Sequence, residues 1–187
     1  MEQPSLELMC EMPKFGLQIE FFVRGLGYEV KQDGSLLVLI DARMGSVLTY
    51  LEQYGITRPT LILSDNACLA YQQCVLAFEP HGYLFNADGS KEVTSALVAI
   101  QAGQKISNLT KPRIGFTHRD LTIARQLACG KTDAEIADIL GLKESSVGKY
   151  VTDVLQKARL MTQNCYLANR TQFALWFWGQ DHVLDNR

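Results

Sequence analysis

Long apolar runs are missing from these 187 residues. No stretch approaches the roughly 18–20 consecutive apolar residues that a membrane-spanning helix needs. No basic segment followed by an apolar one stands at the start, so no signal peptide is expected either. Cysteine is sparse and shows no pairing pattern. The five, Cys10, Cys68, Cys74, Cys129 and Cys165, are odd in number and form no Cys-x-x-Cys pair and no Cys/His cluster at metal spacing. They are expected to be reduced thiols of a cytoplasmic protein, mostly small buried apolar groups, with a redox-sensing thiol as the minor alternative. Histidine is scarcer still: His81, His118 and His182 share no constellation with a nucleophile or a metal set. Neither an enzyme nor a metal or cofactor site is expected.

Charge of one sign is also lacking. Eighteen Lys and Arg against 20 Asp and Glu give −2, which excludes a protein that coats nucleic acid along its whole surface. The balance is uneven, however. Residues 1–110 carry 7 basic and 12 acidic side chains, a net of −5, and residues 111–187 carry 11 and 8, a net of +3. An acidic front and a mildly basic back suit a regulatory domain joined to a nucleic-acid module, although any two-domain chain can divide this way.

The front half alternates short apolar runs with helical patterns. Residues 36–41 (LLVLID), 60–64 (TLILS) and 82–85 (GYLF) have the length and branching of strands buried on both faces, with Leu6–Cys10 a weaker fourth. Between them, Leu17, Phe21 and Phe22 mark a helix ending near Gly25 or Gly27. Val47, Leu48 and Leu51 mark a second, closing at Gly55. Val93, Leu97 and Ile100 mark a third, closing at Gly103 and capped by Asp88 or Ser90. Such alternation predicts a parallel sheet with helices on both faces. One step is too short. Only five residues separate Val30 from Leu36, whereas a parallel crossover usually takes about a dozen. Tyr28–Val30 is therefore expected either outside the parallel sheet or in a hairpin turned by Asp33-Gly34. Residues 105–112 read as a linker between domains at 1–104 and 113–187.

From Thr117 the pattern is helical. Thr117 can cap a helix with Leu121, Ala124, Leu127 and Ala128 on one face, ended by Gly130. Thr132 and Glu135 have capping-box spacing ahead of Ile136, Ile139 and Leu140, and Gly141 makes a turn. A third helix stripes Val147, Val151, Val154, Leu155 and Ala158 on one side and Ser145, Ser146, Lys149, Tyr150, Thr152, Asp153 and Gln156 on the other. A fourth covers about Arg170–Gly179. Its Trp176 and Trp178, two apart, cannot share one face of it.

Two short helices joined by a tight turn, the second polar outside, form the layout of a helix-turn-helix, whose second helix enters the DNA major groove. The segment FTHRDLTIARQLACGKTDAEIADILGLKESSVGKYVTDVLQKA resembles the LuxR/GerE-type helix-turn-helix of bacterial transcription factors. The match lies in its Thr-x-Arg opening, Glu-Ile-Ala, Leu-Gly and Ser-Val, and ANRTQFALW resembles that family's last helix. The resemblance implies double-stranded DNA as partner. It places Lys143, Ser145, Ser146, Lys149 and Tyr150 on or at the entry of the recognition helix, with Lys157 and Arg119 as phosphate contacts. Three positions depart from the family pattern: Lys143 replaces a capping Ser, Gly148 a Lys and Tyr150 a His.

An α/β domain ahead of such a module suggests a response regulator, and GYLFNADGSKEVTSALVAIQAGQK resembles the last strand and helix of a receiver domain. The resemblance places Asp41 as the candidate phosphoacceptor and Ser64 at the Ser/Thr position. Cys10 and Glu11 stand where an acidic pair would hold Mg²⁺, and Asn86 stands where a Lys would be. A strand-end Asp is also a common capping residue. The expectation is thus a two-domain α/β plus all-α regulator, an atypical receiver joined to a four-helix LuxR-type domain. It should bind DNA as a homodimer, with a small-molecule or protein effector as input. Two alternatives stay open: an interaction protein that sequesters a partner regulator, and a switch phosphorylated on Asp41.

Overall fold

The computed structural model describes residues 3–42, 45–87, 90–109, 115–162, 167 and 169–179. They cluster into two units, Met1–Asn66 with Val75–Thr110, and Ala67–Cys74 with Lys111–Arg187.

The first unit is built on a six-stranded sheet of order β2-β1-β3-β4-β5-β6 with every pairing parallel. The strands are β1 (Ser5–Cys10), β2 (Glu29–Val30), β3 (Leu36–Asp41), β4 (Thr60–Ser64), β5 (Gly82–Phe85) and β6 (Ile106–Ser107). All residues of β3 and β4 are buried, as expected of central strands covered on both faces. On one face, Leu6, Val38, Ile40, Leu61, Leu63 and Leu84 meet Val93, Ala96, Leu97 and Ile100 of helix α4 (Ser90–Gln101) and Val23 of helix α1 (Pro13–Gly25). Val47, Leu48 and Leu51 of helix α2 (Ser46–Tyr54) are buried as their spacing predicts. Ser90 opens α4, while Asp88 lies outside the described residues. Part of the expected linker, Ile106–Ser107, is the edge strand β6.

Two expectations need correction. In α1, Leu17 and Phe21 are 64% and 82% exposed; the helix packs through Ile19, Phe22 and Val23. Positions 17 and 21 stand four apart and share the outer stripe. The second correction concerns β2, which lies inside the parallel sheet, on the outer side of β1. It is only two residues long and stops at the level of Leu6, where β3 begins on the other side. The chain has no length of sheet to climb back, so residues 31–35 simply step across β1, and no crossover helix is needed.

That step dictates its residues. A Cβ at Gly34 would lie 2.3–2.6 Å from the backbone of Leu6 and Glu7, so only glycine fits. Asp33 takes φ +55°, and its N–H donates to Glu7 Oε2 at 2.9 Å. Arg58 ties the crossing down, donating to Gly34 O at 2.9 Å and pairing with Glu7. Gly34→Ala should destabilise this unit by about 3 kcal/mol or more, since backbone rather than a pliable side chain must yield. A urea melt followed by circular dichroism would check it.

The second unit contains α5 (His118–Ala128), α6 (Asp133–Leu140), α7 (Glu144–Thr162) and α8 (Arg170–Phe177), together with the first part of α3 (Leu69–Leu76). Its core takes Ile123, Ala124, Leu127, Ile136, Val147, Val151, Val154, Ala158, Phe173, Trp176 and Phe177. Tyr71 is fully buried here, edge-on to Phe177 at 5.7 Å. Ile139, expected inside, is 52% exposed, and Ala137 is buried instead. The two tryptophans lie in different surroundings. Trp176 is buried; Trp178 sits past the helix end, its indole N–H donating to Ala128 O at 2.8 Å under the Arg125 guanidinium.

Candidate nucleic-acid interface

Three helices of the second unit start in the same way. Thr117, Thr132 and Asn169 each accept from the backbone N–H three residues on, and Asp120, Glu135 and Gln172 return the bond to the cap N–H. Each box satisfies two backbone donors that a helix start leaves open. Lys131 also pairs with Glu135, and the backbone and Lys131 donors hold the Glu135 carboxyl at about 2. At the other end of α6, Gly141 adopts φ +63°, its N–H reaching Ala137 O and Asp138 O, and Leu142 N–H returns to Ala137 O at 2.9 Å. This left-handed stop lets α7 begin only three residues later, at Glu144.

Helix α7 runs about 28 Å at 1.5 Å per residue. Val147, Val151, Val154 and Ala158 bury its inner stripe. Ser145, Lys149, Thr152, Asp153 and Gln156 are exposed, and Ser146 and Tyr150 are half-buried. Lys143, also exposed, immediately precedes the helix, where its carbonyl accepts from Ser146 N–H at 2.9 Å. A lysine side chain has no acceptor for the first-turn N–H groups. Arg119 and Tyr150 are brought together, the guanidinium 3.9 Å from the ring centroid. A cation stacked on a ring is thereby held beside the outer face of α7.

Lys157 is placed differently. Its ammonium lies 2.5 Å from Oδ2 of buried Asp120. The same carboxylate accepts from Thr117 N–H at 2.8 Å. Burial pushes the Asp120 carboxyl up, but the Lys157 and Thr117 hydrogen bonds outweigh it and leave it below the usual carboxylate range. Lys157 thus ties α7 to the start of α5. The spacing Thr117-x-x-Asp120 was a visible capping signal; the link to a lysine far along the chain carried none. Arg170 makes a comparable tie for α8, pairing with Asp133 and donating to Lys131 O at 3.2 Å. Gly148 faces Asp133, whose carboxylate would be 3.8 Å from an added Cβ.

In the first unit, the receiver-like positions gather at the carboxyl ends of the strands. Ser64 Oγ donates to Asp41 Oδ2 at 2.9 Å, while Ser46 Oγ and Val47 N–H donate to Oδ1 at 3.4 Å. Asp41 is buried, and its Oδ1 accepts from the first turn of α2. Asn86, with φ +46°, lines the same cavity as Asp41 and Ser64. Cys10 turns its thiol to Met12 O at 3.3 Å, and Glu11 is exposed.

Residues 115–164 match the family model described as bacterial regulatory proteins, luxR family. They form a LuxR-family DNA-binding domain. The chain is 26% identical over 145 residues to the positive transcription regulator of virulence factors BvgA of Bordetella pertussis, covering 68% of this chain and 69% of that protein. In overall fold it is similar to RcsB from Salmonella enterica serovar Typhimurium bound to promoter rprA, with TM-score 0.58 and 13% identity, covering 94% of this chain and 98% of that one. Two RcsB dimers bound to two parallel DNAs give TM-score 0.51 at 15% identity, over 84% and 92%. The first unit accordingly has a receiver-like fold, and the LuxR-family domain follows it.

Two outcomes test the helix ties. The Asp120 carboxylate stabilises fully above its unfolded value of about 3.9, and this contribution fades as pH falls through its lower folded value. Thermal melts between pH 6 and 2 should show that loss in the native chain and a smaller slope in Asp120→Asn, which is less stable at neutral pH. Gly148→Ala, with room for the methyl, should stabilise the domain by about 0.5–1 kcal/mol through helix propensity, read as a raised melting temperature.

Proposed function

We propose that this chain is a sequence-specific transcriptional regulator that binds double-stranded DNA as a homodimer, and that its receiver-like unit works without phosphoryl transfer. The observation that carries the DNA reading is the outer face of α7 inside a LuxR-family domain. There Ser145 and Lys149 are exposed and Ser146 is half-buried, Lys143 stands at the entry, and Arg119 is stacked on Tyr150. Hydroxyl and amine groups on a groove-entering helix suit base edges, and the cations suit phosphates. Lys157 belongs with the internal ties rather than with the phosphate contacts, because Asp120 holds its ammonium.

The printed description of RcsB dimers on DNA supports a two-fold arrangement for this chain as well. Two modules then meet half-sites about 34 Å apart, one helical turn. The phosphorylation-independent reading is supported by chemistry at Asp41. Phosphoryl transfer calls for a hard cation held by carboxylates and a nearby positive charge. Cys10 offers a thiol where a carboxylate would serve, and Asn86 offers a neutral amide where an ammonium would.

Fluorescence anisotropy with duplex fragments tests the proposal. Lys149→Ala should weaken binding and reduce the log–log salt slope by about 1. Lys157→Ala should instead lower thermal stability by about 2 kcal/mol or more, because it strands a buried carboxylate. An unchanged salt dependence in Lys149→Ala would overturn the assignment of that face. Incubation with Mg²⁺ and acetyl phosphate should leave the intact mass unchanged.

A further inference from the structure

The first unit contains a cavity of about 480 Å³ at the carboxyl ends of β3 and β4, within the roughly 300–1,000 Å³ typical of small-molecule sites. One wall is α1, where Phe15, Ile19 and Phe22 recur at positions i, i+4 and i+7 and so share a face. Val93 of α4 and Ala87 also line it. Phe15 is 43% exposed, apolar surface left facing water. The polar residues of the lining are Asp41, Ser64, Asp65, Asn86 and Ser90. Asp41 is already hydrogen-bonded within the fold. Asp65 is exposed, with no hydrogen-bond or ion-pair partner among the described residues.

The charge of this lining discriminates between ligands. It offers two carboxylates, two hydroxyls and an amide, and among the described lining residues no Lys, Arg or His. Among these described residues an anion would meet like charge and no counter-ion; a cation would meet both acids and three neutral acceptors. We infer that this cavity is a receptor site for a small amphipathic amine, its apolar body against the Phe15–Ile19–Phe22 wall and its ammonium at Asp65, Ser64 and Asn86. The site deepens the phosphorylation-independent reading, on which it rests, by supplying the class of effector. A ligand there bridges α1, α4 and the ends of two central strands, and stabilises whichever state of the unit has the cavity open.

The test uses the full chain, isothermal titration and thermal shift, and three probes of like size: phenethylamine, phenethyl alcohol and phenylacetate. Phenethylamine should bind saturably, the alcohol at least about tenfold more weakly, and phenylacetate not at all. Asp65→Asn, a surface change, should bring the amine down to the level of the alcohol. Ala87→Phe, which fills the cavity, should abolish binding of both while leaving duplex affinity intact. No saturable response to any probe, equal binding of amine and alcohol, binding of phenylacetate, or amine binding untouched by both variants would each overturn the inference. Failure here is separable from failure of the phosphorylation-independent reading, since the acetyl phosphate mass measurement involves no amine.

Discussion

The DNA-binding unit depends on one carboxylate. Asp120 sits in the first turn of α5, closes its own capping box with Thr117 and receives the ammonium of Lys157 from α7. A buried charge is costly unless paired and hydrogen-bonded, and here the Lys157 bond that satisfies it also joins α7 to α5. The outer face of α7 can be presented at a constant angle because its inner side is pinned at this point as well as packed through Val147, Val151 and Val154. Arg119, one residue before Asp120, inherits the same placement and is held over Tyr150.

The sequence was most legible where a signal is local. Continuous apolar runs gave the buried strands β3 and β4, Thr132 with Glu135 gave the start of α6, and Gly141 gave its left-handed stop. Asp41 and Ser64 were placed at strand ends from pattern alone, and they do share a hydrogen bond. Legibility failed where two distant parts of the chain decide together. Lys157 reads as an available cation on any helical wheel, and only the folded unit reveals its partner. Leu17 and Phe21 are as apolar as Phe22, yet they fall on the outer stripe of α1, and periodicity could not say which stripe faces the sheet. The route from β2 to β3 was misjudged because the usual crossover length assumes full-length strands, and β2 has two residues.

The two units handle their acidic groups in contrasting ways. Asp120 is neutralised by a lysine and serves architecture alone. Asp41 is held by hydroxyl and amide donors at the rim of a cavity whose other polar groups carry no positive charge among the described residues. A receiver-like sheet thereby keeps the carboxyl ends of β3 and β4 as a shaped recess, lined among the described residues by acidic and neutral groups.

The glycine at position 34 has a consequence for how the first unit assembles. A connection of a few residues carries a small loop-closure entropy, and once β1 has met β3 the short strand beside it needs no separate search. The front of the sheet can thus register as one early cooperative piece, with nearby contacts made before those that must wait for β5 and β6. The same economy makes the step across β1 intolerant of drift: one methyl group there would press on the backbone of Leu6 and Glu7.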